Sequence, residues 1–330
     1  MKAKTTIFAI LFISIGLAAD AQLAVSDIDL EGYTYPYPVH YIDLEIQRGI
    51  YKMAYMDVQP LHPNGKAIML LHGKNFNGAY WGETAKVLSD NGYRVIIPDQ
   101  IGFGKSAKPE NFQYSFYQLA KNTKAILDSL GIKKIIVLGH SMGGMLAVRF
   151  TLMYPGLTEK LILTDPIGLE DYQAKIPYQG VEARYKVELD QTYNKIREYE
   201  FTSYYHGEWK PQYDEWLNVF AGWTESKDYQ RIAWNAALTY DMIMTQPVCY
   251  ELGQIKVPTL LIIGQSDRTA VGKENATEQV RQTMGNYPAL GKAAHAKIKN
   301  SKLVELQGVG HVPQVEAFES FIKPVLDFIK

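Results

Sequence analysis

The chain has a single cysteine, Cys249, among 330 residues. A disulfide framework is therefore excluded, and so is a zinc site built on paired cysteines. It also lacks a surplus of either charge: 34 Lys and Arg stand against 35 Asp and Glu, a formal net charge of −1. Nucleic-acid binders carry a strongly basic face, so that class of partner is set aside. No apolar run reaches the roughly 20 residues needed to cross a bilayer. At 47% hydrophobic and 21% charged residues, the chain is too apolar for disorder and can bury a large core. Internal repeats and low-complexity tracts are absent.

The first residues read as an address. Lys2 and Lys4 precede an apolar stretch from Ile7 to Ala19, and Ala19-Asp20-Ala21 is a small-x-small site just before Gln22. A basic start, a short apolar stretch and such a site make a secretory signal peptide over residues 1–21. No cysteine follows the cleavage point, which disfavours a lipid anchor. The expected mature protein is exported, to the periplasm if the host is Gram-negative, and carries no stable membrane insertion. A lone thiol in an oxidising compartment is best kept buried.

Beyond the leader, Tyr41, Asp43 and Glu45 alternate with Ile42, Leu44 and Ile46, the pattern of a half-buried strand. Gln47-Arg48-Gly49 turns into a second extended stretch, Ile50 to Val58. Short apolar runs follow at Ala67–Leu71, Arg94–Ile97, Lys134–Leu138 and Leu161–Thr164, with helical spacings between them at Trp81–Leu88, Ser115–Leu130 and Gly144–Tyr154. Strands alternating with helices predict a parallel sheet covered on both faces. From Tyr172 to Tyr250 the rhythm becomes helical, and this stretch holds 11 of the 23 tyrosines and 4 of the 5 tryptophans. Strand patterns resume at Val257–Ile263 and Lys302–Leu306, and Phe318–Ile329 reads as a closing helix. The division is thus a core over 22–171, a helical insertion over 172–250 and the rest of the core over 251–330.

The chemistry centres on Gly139-His140-Ser141-Met142-Gly143, between a strand and a helix. A serine on so tight a turn exposes its Oγ at the positive end of a helix, and the flanking Gly139 and Gly143 make room for it. A serine hydroxyl needs a base, and the base an orienting acid. His311, in Gly308–Pro313, follows the last strand. Asp267, in Gly264–Asp267, ends the strand before it. Both fall at the sheet edge that carries Ser141, in the order Ser…Asp…His. Asp165, at the end of the preceding strand, is the rival acid. His140 is expected to pack. His40, His62, His206 and His295 are expected to be solvated, and Glu316 to form a surface or loop salt bridge at the last helix. For the oxyanion, the N–H of Met142 and that of Lys74 in the loop His72-Gly73-Lys74-Asn75 are the expected donors, with Asn75 second to Lys74.

These motifs, with Asp99–Ser106 (DQIGFGKS) and Gly310–Glu316 (GHVPQVE), resemble those of the α/β-hydrolase superfamily over nearly all of the mature chain. The resemblance implies an α/β-hydrolase fold with a helical cap inserted after the sixth strand, over the nucleophile. It implies no metal and no cofactor, and a small-molecule substrate. Relatives that cleave carbon–halogen bonds or epoxides carry aspartate where this chain has Ser141. Peptidase relatives carry a glycine–proline-rich loop where it has Lys74-Asn75-Phe76. The segment 281–291 is expected to wall the mouth of the site. The resulting expectation is a serine hydrolase of a small ester, thioester or lactone. The alternatives are a carbon–carbon bond hydrolase with the same triad and a slow-turnover ligand-binding protein.

Overall fold

The computed structural model describes residues 26–330, so the signal peptide expected over 1–21 lies outside the described residues. Eight strands form one sheet in the order β1-β2-β4-β3-β5-β6-β7-β8: β1 (Val39–Ile46), β2 (Gly49–Val58), β3 (Ala67–Leu71), β4 (Arg94–Pro98), β5 (Ile135–His140), β6 (Thr158–Thr164), β7 (Thr259–Gly264) and β8 (Ser301–Leu306). β1 and β2 pair antiparallel through their hairpin, β2 joins β4 antiparallel, and every later pairing is parallel.

Strands buried on both faces must be apolar at every position, and side-chain alternation sorts those residues into two cores. Met69, Leu71, Val137, Leu161 and Leu261 face α2 (Phe116–Ser129) and α3 (Met142–Met153). Ile68, Leu70, Leu138, Ile162 and Ile262 face the other layer, with α1 (Gly82–Asp90) and the closing helix (Phe318–Ile329). Ser115 starts α2 by accepting the Gln118 N–H, a normal serine cap. The β7–β8 crossover carries a helix over Tyr287–Lys297 that the sequence pattern did not announce.

Between β6 and β7 the chain is helical: α4 (Val181–Leu189), α5 (Tyr193–Tyr199), α6 (Asp214–Gly222) and α7 (Tyr229–Thr245). The continuous helical spacing over Val181–Tyr199 is broken at Asp190–Thr192, where Thr192 caps a new helix. A π-helical turn, Glu200–Tyr204, extends α5. The first described segment, Ser26–Tyr35, straps these helices to the core. Ser26 N–H donates to the Gly222 carbonyl at 3.1 Å and Trp223 Nε1–H to the Asp27 carbonyl at 2.8 Å, while Tyr35 Oη–H donates to Asp99 at 2.7 Å. Among the described residues no helix is long and apolar enough to cross a membrane.

Candidate active site

β5 delivers Ser141 at its carboxyl end, and α3 begins at once with Met142. Ser141 sits at φ 55°, ψ −121°, a region L-residues avoid at a cost of about 1–3 kcal/mol. Glycine neighbours make the turn possible. A Cβ on Gly143 would lie 2.2 Å from the Leu71 carbonyl oxygen, and one on Gly139 would lie 2.2 Å from that of Gly143. Backbone cannot yield as a flexible side chain can, so both positions are closed to any other residue.

Three side chains from separate loops meet here. Ser141 Oγ lies 2.9 Å from His311 Nε2, and His311 Nδ1 lies 2.7 Å from Asp267 Oδ2. His311 and Asp267 are fully buried, and Ser141, 5% exposed, lines the cavity described below. The carboxylate fixes the tautomer: Nδ1–H donates to Asp267, leaving the Nε2 lone pair to the serine hydroxyl. Asp267 Oδ1 accepts the Thr269 N–H at 2.7 Å, so both of its oxygens are engaged. Asp165 does not reach the imidazole. Its Oδ1 accepts the Gly264 N–H at 2.8 Å, its Oδ2 is buried without a partner, and burial together with the neighbouring Asp267 charge holds its carboxyl well above the usual range.

The loop after β3 runs beside the serine. A Cβ on Gly73 would stand 3.2 Å from that of Ser141. His72 is structural: Nδ1–H donates to the Gly73 carbonyl at 2.8 Å and Nε2 accepts the Gln100 N–H at 3.0 Å. The backbone N–H groups of Met142 and Lys74 have no protein acceptor among the described residues. His140 does more than pack. Its Nε2–H donates to the His311 carbonyl at 2.7 Å, and its Nδ1 accepts from Tyr80 Oη at 3.0 Å, while Tyr80 Oη accepts the Gly73 N–H at 3.2 Å. This relay ties the loop after β3 to the histidine loop. Burial, with the nearby His311, pushes the His140 pKa well down, so the ring is neutral.

A cavity of about 300 Å³ opens on Ser141. Its walls combine apolar side chains such as Ile167, Ile196 and Ile243 with Tyr199, Tyr204 and Tyr240 from the inserted helices. One wall is charged. Lys74 Nζ lies 3.4 Å from Glu188 Oε1, which Arg184 also engages at 2.9 Å, and the Arg184 guanidinium stacks 4.1 Å over Tyr240. Burial raises the Glu188 pKa, but the two cations outweigh it and hold the carboxyl below its ordinary value. Burial lowers that of Lys74, against the pull of Glu188. The expectation for 281–291 is corrected: Thr269–Gly272 and Glu274 line the cavity, and none of 281–291 does. Instead Tyr287 is buried behind the site, its ring 6.2 Å from His311, because the crossover helix that contains it must cover the sheet.

With this geometry in view, the family profile described as the alpha/beta hydrolase fold matches residues 66–318. The chain belongs to the α/β hydrolase family. It is a hydrolase. It is 48% identical to a probable hydrolytic enzyme from Pseudomonas aeruginosa PAO1, whose crystal structure superposes with a TM-score of 0.92 over 94% of this chain and all of that one. It is 27% identical over 274 residues to the 2-hydroxy-6-oxo-6-phenylhexa-2,4-dienoate hydrolase of Burkholderia cepacia, covering 80% of this chain and 88% of the relative. The enol-lactonase of Burkholderia xenovorans LB400, at 20% identity and a TM-score of 0.67 over 87% of this chain and 99% of its own, shares the fold.

Two residues of this hydrolase depart from what the sequence suggested. Glu316 forms the loop ion pair that was one of its two expected forms, but with His206 of the insertion rather than at the last helix. Its Oε2 accepts the Gly310 N–H at 2.7 Å and its Oε1 meets His206 Nε2 at 2.8 Å, with 7% of the side chain exposed. His206 is accordingly partly buried rather than solvated. Tyr204, unremarked in the sequence, accepts the His311 N–H at its carbonyl at 2.8 Å. A pairing between positions more than a hundred residues apart leaves no local pattern to read. The one signal was Gly310, where a Cβ would stand 1.9 Å from the Tyr204 oxygen.

Proposed function

We propose that the protein is a serine hydrolase of a small ester, thioester or lactone. The observation that carries this reading is the hydrogen-bonded row Ser141–His311–Asp267, whose serine lines a cavity together with Lys74, with the N–H groups of Lys74 and Met142 free of protein acceptors among the described residues. Ser141 Oγ attacks the carbonyl carbon as His311 Nε2 takes its proton. Asp267 keeps the imidazole in the working tautomer and stabilises its charged form. The carbonyl oxygen gains the negative charge, and the N–H groups of Met142 and Lys74 hold it; one such donor is typically worth about 10²–10³ in rate. His311 then gives the proton to the leaving alcohol or thiol. Water, deprotonated by the same imidazole, releases the acid. Residues 172–250 act as a cap whose aromatic wall suits an apolar or aromatic group. The leader at 1–21 directs the protein out of the cytoplasm, to the periplasm in a Gram-negative host.

A panel of p-nitrophenyl esters from acetate to octanoate, on the wild type and Ser141→Ala, tests the reading. Turnover that vanishes in the variant supports it, and its chain-length dependence sizes the acyl pocket. No turnover of any ester by the wild type counts against it.

A second reading, hydrolysis of a carbon–carbon bond in a β-diketone-like substrate, is favoured by a relative rather than by the charge of the wall, which is balanced: Glu188 meets both Lys74 and Arg184, and Glu274 pairs with Arg184 at 3.1 Å. The curated relative from Burkholderia cepacia bears the name of a dienoate hydrolase. Product analysis on such a diketone, by the loss of its chromophore and the identity of the two fragments, separates the two readings.

A further inference from the structure

We propose that the hydroxyl of Tyr204, from the π-helical turn, is a third donor to the oxyanion. The proposal rests on the serine-hydrolase reading and adds a residue to it. Tyr204 is fixed at both ends. Its carbonyl accepts the His311 N–H at 2.8 Å, and its Oη accepts Asn75 Nδ2–H at 3.0 Å. Its ring lies 4.8 Å from the His311 imidazole, centre to centre, and 6.0 Å from Phe76, stacked on the latter. Tyr204 ends the π turn, so its carbonyl has no helical partner, and here that carbonyl serves the histidine loop. The neighbouring carbonyl of Ser203 accepts Thr269 Oγ1–H at 3.2 Å, two residues beyond Asp267. One turn therefore rests on the loops that carry the acid, the base and the oxyanion donors.

The hydroxyl itself has one duty left. Asn75 fills one of its lone pairs, and its own proton has no protein acceptor among the described residues. Tyr204, Asn75 and Ser141 line the same cavity, and Asn75 directly follows Lys74, whose N–H is the second donor of the proposed hole. A buried O–H without an acceptor is costly, so a substrate oxygen between Ser141 and this loop relieves it. Burial also pushes the phenol well above its ordinary range, and it stays a donor at all working pH values. The donor gains most when the carbonyl oxygen becomes an oxyanion, which places the benefit in the transition state.

Tyr204→Phe tests this, because it removes the hydroxyl and keeps both the backbone contact with His311 and the stacked ring. The expected result on the best p-nitrophenyl ester is a kcat about 10- to 100-fold lower with KM little changed. Affinity for a trifluoromethyl ketone, which forms a tetrahedral adduct on the serine, should fall by a similar factor at unchanged Tm. Unchanged kcat and ketone affinity overturn the proposal, as does a rise in KM alone, which would mean ground-state binding only. Labelling of Ser141 by a fluorophosphonate separates the two levels. If the variant is labelled and fully active, only the tyrosine role falls. If the wild type is neither labelled nor active on esters, the serine reading falls and this proposal with it.

Discussion

Glu316 holds His206 at 2.8 Å with one carboxylate oxygen and the Gly310 N–H at 2.7 Å with the other. The turn of the insertion that holds His206 and the loop that carries His311 are thereby joined through a single side chain. Glu316→Ala is expected to lower kcat/KM by about 10- to 100-fold, since a shift of about 1 Å in a reacting group costs on that order. Steady-state kinetics with a parallel melting curve checks this, and full activity at unchanged Tm would deny Glu316 any part in placing His311.

The two aspartates at the sheet edge should respond in opposite ways. Asp267→Asn removes the charge that orients His311 and is expected to cost about 10⁴ in kcat. Burial and the neighbouring Asp267 charge push the Asp165 carboxyl well above its ordinary range and disfavour its ionised form, so Asp165→Asn, uncharged and of the same shape, is a mild change. Activity within about tenfold of the wild type is expected, on the mutational cost of a neutral hydrogen bond. Equal losses in the two variants would contradict this difference, and a larger loss in Asp165→Asn would reverse the assignment of the acid.

Glu200 offers a test by pH. Both of its carboxylate oxygens are buried without partners, and burial pushes its pKa to about 8. The unfolded chain ionises this group near the ordinary glutamate value of about 4.3. Between those values the unfolded state binds fewer protons, so the group's contribution falls as pH rises, by an order of a few kcal/mol in all. Glu200→Gln should leave Tm nearly unchanged at pH 4 to 5 and raise it by several degrees near pH 8. A variant that melts below the wild type at pH 8 would contradict this.

Lys74→Met separates charge recognition from catalysis, because its backbone N–H remains. Turnover of a neutral p-nitrophenyl valerate should change little. Turnover of the acidic hemiglutarate ester should fall at least tenfold through KM, the scale of a charge-assisted contact of about 1.5–3 kcal/mol. Equal effects on both esters would deny Lys74 an anion-binding role.

Gly143→Ala should fail to fold or lose more than about 3 kcal/mol, because its Cβ would meet the β3 backbone at 2.2 Å rather than a side chain that can move. Chemical denaturation measures it.

Local pattern carried much of this protein. The β3 run Ala67–Leu71 has the strand's own bounds, as has the closing helix Phe318–Ile329, because burial on two faces or on one helical stripe leaves its period in the residues themselves. The strand–turn–helix around Ser141 was legible too, although α3 starts at Met142 rather than at Gly144. The helix Tyr287–Lys297 went unread, since its apolar face is short and lies among lysines and alanines.

What the sequence alone determined was the order of elements, the family's motifs and three candidate residues at strand ends, for these depend on neighbours a few positions apart. Only the tertiary structure decided which aspartate meets His311, that His140 joins Tyr80 to the histidine loop, and that Tyr204, Glu316 and His206 surround it. Those contacts join residues 44 to 171 positions apart. Their geometry depends on where the packed sheet and the inserted helices bring separate loops together, and no local period encodes that meeting.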